Sequence, residues 1–112
     1  MAGLTDATIG RLLEEASKNL QHFFTQVSKS RALHTEATKA TLEASQAVQQ
    51  TDVNNIPALL LAVAALKEAT DAQARIWRDL SLAATSLDQS NQVVDDLKRE
   101  IARRIAKRIV AQ

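Results

Sequence analysis

Along the first half of the chain one position in every three or four is apolar or small, in an unbroken series: Ile9, Leu13, Ala16, Leu20, Phe23, Val27, Ser30, His34, Ala37, Thr41, Ala44 and Val48. Alternating steps of four and three describe one face of a long amphipathic helix. The segment Thr51-Asp52-Val53-Asn54-Asn55-Ile56-Pro57 interrupts it with poor helix formers and a proline, which suits the start of a helix and is hostile to its interior. Beyond it the same stepping resumes through Leu59, Val63, Leu66, Thr70, Gln73, Trp77, Leu80, Ala84, Leu87, Asn91, Val94, Lys98, Ile101 and Ile105. The pattern predicts a single all-α domain over 1–112: a first arm at about 5–50, a turn at 51–57 and a second arm at about 58–110.

Two arms joined by a short turn fold back antiparallel as a coiled-coil-like hairpin, each arm about 65 Å long at about 1.5 Å per residue. Residues whose numbers add to roughly 108 then lie at one level, which sets Phe23 against Ala84, Val27 against Leu80 and Ser30 against Trp77. The same register brings His34 level with Gln73, and Ala16 level with Asn91 or Ser90, so His34, Gln73 and Asn91 are assigned to register-setting polar layers. The runner-up fold breaks an arm near Ser28–Arg31 or at Thr85–Gln92 and gives a compact three- or four-helix bundle.

Apolar residues also lie off this seam: Leu12, Phe24, Leu33, Leu42, Leu60, Leu61, Ile76, Leu82 and Val93. A lone pair of helices has nowhere to bury them, so a second surface is expected, supplied by dimerisation into a four-helix bundle or by the helices of another protein. The partner interface is assigned to Leu12, Phe24, Leu61, Ile76, Leu82 and Val93.

Composition narrows the class. Of 112 residues 46% are hydrophobic, yet only Phe23, Phe24 and Trp77 are aromatic, and 20 of the apolar residues are alanine, so the helices can approach closely. With two glycines and one proline the chain lacks the turns that sheets need. The absence of cysteine removes disulfides, thiol catalysis and cysteine-ligated zinc. The N-terminal Met-Ala-Gly-Leu-Thr-Asp has no leader pattern, and the most apolar run, Ile56 to Leu66, is too short to span a bilayer, so a soluble, cytoplasmic protein is expected.

Charge is uneven. Residues 1–97 carry 8 basic and 12 acidic side chains, whereas residues 98–112 carry Lys98, Arg99, Arg103, Arg104, Lys107 and Arg108 against Glu100 alone. Cations at a helix C-terminus offset the macrodipole. Opposite Ile101, Ile105 and Ile109 they also make an amphipathic face suited to an anionic membrane, and less suited to nucleic acid because no aromatics or second basic patch accompany it.

Catalytic chemistry has little to stand on. His22 and His34 are the only conventional base candidates; His34 lies on the inward seam and has no His four residues away, and the adjacent pairs Glu14-Glu15 and Asp95-Asp96 point about 100° apart on a helix. No nucleophile elbow or phosphate-cradling glycine loop is present. The expected function is therefore non-enzymatic, without cofactor or metal: a scaffold subunit acting through helix packing, as a homodimer or a hetero-oligomer.

Pro57-Ala58-Leu59-Leu60, directly after a polar turn, resembles the proline-led start of the second helix in type III secretion needle subunits. That resemblance covers four residues and implies a small helical subunit or substrate of a secretion apparatus. Secreted hairpins of the type VII class are similar in length but carry a Trp-x-Gly turn where this chain has Asn54-Asn55-Ile56-Pro57.

Overall fold

A computed structural model describes residues 3–111 as two helices, α1 (Asp6–Gln50) and α2 (Ile56–Ala111), with no strand among the described residues. Each helix is started by its own side chains. At the head of α1 the Thr5 hydroxyl accepts the Thr8 amide at 3.1 Å, Thr5 O accepts the Ile9 amide at 3.0 Å, and Asp6 sits in the first turn where the helix dipole favours an anion. At the head of α2 Asn55 is the cap, its carbonyl accepting the Leu59 amide at 2.9 Å and its side-chain oxygen the Ala58 amide at 3.4 Å. Pro57 lies inside the first turn of α2, where a missing amide hydrogen costs nothing, so the helix starts at Ile56 rather than at 58.

Between the helices the chain reverses in five residues. The Thr51 hydroxyl donates to the Ala47 carbonyl at 2.6 Å and satisfies one of the open carbonyls at the end of α1. The Asp52 carboxylate accepts the Asn54 amide at 2.9 Å, and the Asp52 carbonyl accepts the Asn55 amide at 3.0 Å. α1 runs unbroken for 45 residues and α2 for 56, so the chain does not adopt the compact bundle with a broken arm.

Contacts group the chain into two units, one made of the described residues up to Gln26 with those from Ala83 onward, the other of Val27–Leu82. In the first unit Ile9, Ala16, Val94 and Leu97 form a buried core, with Leu13, Leu20 and Ile101 packed against it. In the second unit the Thr41 hydroxyl donates to the Ala37 carbonyl at 2.9 Å and reaches the Ala69 carbonyl of α2 at 3.3 Å. Only a side chain as small as alanine lets the opposing backbone come that close.

All twelve seam positions expected in α1 are buried or half-buried. The seam of α2 is only half as expected. Leu59, Leu66, Gln73, Leu80, Leu87, Val94 and Ile101 are shielded as anticipated, but the alternate positions are Ala62, Ala69, Ile76, Ala83, Ser90, Leu97 and Arg104, and Val63, Thr70, Trp77, Asn91, Lys98 and Ile105 are exposed. α2 steps by three and then four where the sequence expectation stepped by four and then three. The register shifts accordingly. Thr41 meets Ala69, Asp6 meets Arg104, Thr38 meets Gln73 and His34 meets Trp77, so opposing numbers add to about 110 rather than 108.

Candidate functional site

Two surfaces of the hairpin have chemistry that its internal packing does not consume. One is apolar and lies in the second unit. From Ile56 to Leu66 α2 has no polar side chain on any face, yet it is paired with α1 on one side only. Leu59, Ala62 and Leu66 are shielded by α1, while Ile56, Leu60, Leu61 and Val63 remain exposed, Leu60 by 65% and Leu61 by 73%. Val53 in the turn is 71% exposed. A helix that is apolar all round normally sits inside a larger packing arrangement.

Of the residues assigned to a partner interface, Leu61 and Leu82 are exposed in this unit, and their separation of 21 residues, three heptads, puts them on one face of α2. Ile76 belongs elsewhere: it is half-buried on the face α2 turns to α1, and the neighbouring Trp77 is the exposed one. The Trp77 ring lies across the imidazole of His34, with centroids 5.0 Å apart at 51°. Trp77 thus does not fill the seam against Ser30, where the expected register set it. A ring of that volume does not fit between helices close enough for the Thr41 and Ala69 contact, so it covers the seam from outside.

In the other unit Leu12 and Val93 line one shallow groove with Asn19 and Leu97, whose walls carry Glu15 and Asp96. Phe24, 58% exposed, is not among the residues of this groove. The expected second apolar stripe is therefore not a single stripe. Its residues are spread over different faces and are densest next to the turn.

The polar layers also change. Gln73 faces inward but donates its amide to the Thr38 hydroxyl at 3.1 Å rather than pairing with His34. Thr38 is held for this by donating its own hydroxyl hydrogen to the His34 carbonyl at 2.9 Å. Of the two residues expected level with Ala16, Asn91 is exposed and Ser90 takes the inward place, beside Asn19 and Phe23 in a groove of about 180 Å³.

The second surface is the C-terminal end of α2. Arg104 is half-buried and donates from Nε to Glu100 at 2.9 Å and from Nη1 to Asp6 at 2.9 Å; Arg108 also pairs with Asp6. Arg103 makes a two-pronged contact with Glu100, 2.6 Å and 3.0 Å. Hydrogen bonds from Arg103 and then Arg104 hold the Glu100 carboxyl at about 2, far below its ordinary 4.5, and the carboxylate in turn raises the Arg103 guanidinium. Half of the six cations are thus engaged in tying α2 to itself and to the start of α1. Lys98, Arg99 and Lys107 form no ion pair with another described residue.

Among the described residues no group of three or more His, Asp or Glu side chains could hold a metal ion, and no helix is long and apolar enough to cross a membrane. The chain matches no family model, and comparison with curated proteins and with solved structures gives no match.

Proposed function

We propose that this chain is an interaction subunit that works by helix packing, with residues 53–63, in the turn and the start of α2, and Leu82 as its principal docking surface. The observation that supports the reading most directly is the run Ile56–Leu66, apolar on all faces and covered by α1 on one. Burying what remains exposed of Leu60, 65%, and Leu61, 73%, is worth about 1–2 kcal/mol each. Isolated apolar side chains on a surface are ordinary, but Val53, Ile56, Leu60, Leu61 and Val63 lie within eleven residues. The partner is a helical surface, either a second copy completing a four-helix bundle or another chain contributing the missing helices. Affinity comes from the apolar side chains, and polar positions such as Gln73 and Thr38 keep the hairpin in one register while they dock.

The test is a pair of substitutions read by light scattering and circular dichroism over a range of protein concentrations. Leu61→Asp and Leu82→Asp, both at exposed positions, should lower the assembled mass while leaving helical content unchanged. Helicity falling together with mass would place these residues in the intrachain core and overturn the assignment. A wild-type mass of one chain at every concentration, with solubility unchanged by either substitution, would remove the segment from any role in association.

A further inference from the structure

The C-terminal end of α2 offers a function independent of the apolar docking surface: we infer that residues 98–110 hold the hairpin against an anionic lipid surface. Three features of that end point to it. At 100° per residue, Ala102, Ile105, Ala106 and Ile109 fall within about 100° of arc, a continuous apolar strip; one turn earlier Lys98 stands on the same arc and Arg99 about 20° beyond its edge. Ile105 is 52% exposed and Ile109 68% exposed, so the strip is not spent on α1. Arg103 stands about 60° beyond one edge of it and Lys107 about 100° beyond the same edge.

The ion pairs sort the cations by role. Asp6, at the start of α1, is level with Arg104, and α2 continues for seven further residues. Arg104 and Arg108 are turned back onto Asp6, and Arg103 is matched by Glu100, which fixes the rotation of the final turns. That rotation leaves Lys98, Arg99 and Lys107 for external anions, with Lys98 and Arg99 beside the strip that holds Ile105 and Ile109 and Lys107 on the far flank of the helix. Apolar side chains set among lysines and arginines suit a headgroup layer, where the cations meet phosphate or carboxylate groups and the isoleucines enter the acyl boundary. A nucleic acid backbone has no place for the isoleucines, and no aromatic side chain lies in this segment to stack on bases. The helix lies on the surface and does not cross it.

The experiment uses the full chain with vesicles of phosphatidylserine mixed into phosphatidylcholine, against phosphatidylcholine alone, read by flotation at low and at physiological salt. Binding should require the anionic lipid and weaken with salt. Changing Lys98 and Arg99 together to Gln should lower partition roughly 25-fold, about fivefold for each cation, with unchanged helicity because neither forms an ion pair with another described residue. Changing Ile105 and Ile109 to Ser should lower it further at high salt, where charge is screened. Lys29 and Lys39, on the other unit, serve as the control pair, and their change to Gln should have no effect. An equal loss in the control would mean net charge rather than this site. No vesicle binding, or binding to a short DNA or RNA duplex in its place, would overturn the inference, as would isoleucine variants that bind like wild type at both salt levels.

Discussion

Replacing Leu97 by alanine tests which face α2 turns inward. Leu97 is 4% exposed and sits with Ile9, Ala16 and Val94 in the core of its unit, with Leu13 and Ile101 closing over them. Removing three carbon groups forfeits about 2.4 kcal/mol of transfer free energy at about 0.8 kcal/mol each. The cavity adds to this, because the Ala16 methyl cannot reach into the space and both helices are continuous there, so a loss of about 3–4 kcal/mol is expected. A domain of this size is stable by roughly 5–15 kcal/mol, so the effect is a large fraction of the total. Urea unfolding followed by circular dichroism should show a lower midpoint with an unchanged slope. Lys98→Ala, at the adjacent exposed position, should change stability by no more than about 0.5 kcal/mol. A loss under about 1 kcal/mol at Leu97, or a larger loss at Lys98, would mean that α2 is rotated by one residue and that the core assignment is wrong.

Two further outcomes follow from the ends of the helices. Because the folded Glu100 carboxyl titrates at about 2 instead of 4.5, its ion pairs contribute above about pH 4.5 and are lost as the pH falls from there through 2; Glu100→Gln should therefore flatten the stability profile across that window, and parallel wild-type and variant profiles would contradict it. Thr5→Ala removes the acceptor for the Thr8 amide and should cost about 1 kcal/mol, seen as faster hydrogen exchange at Thr8 with the exchange of Val94 and Leu97 unaffected.

What the sequence by itself determined is the helical class, the two arms, the turn and the inward face of α1. That face was legible because its neighbours on either side are mostly polar, leaving one helical phase that buries the apolar set. In α2 the pattern determines only every seventh position, from Leu59 to Ile101. The intervening position has two candidates, Val63, Thr70, Trp77, Asn91 and Lys98 in one phase and Ala62, Ala69, Ile76, Ser90 and Leu97 in the other, and each mixes apolar with polar residues, so hydrophobicity alone does not choose. Volume does. In one unit alanines at 62 and 69 let the backbones approach until Thr41 reaches Ala69, and a helix pair that close excludes the Trp77 ring; in the other the same helical phase seats Leu97 against Ile9 and Ala16. The same rotation moves Ile76 inward, leaves Val63 and Ile105 in solvent, and turns Arg104 onto Asp6 while Lys98 faces out. Which apolar and charged residues are available to a partner is thus a property of how two side-chain surfaces fit, and spacing along one chain does not contain the shape of the surface it meets.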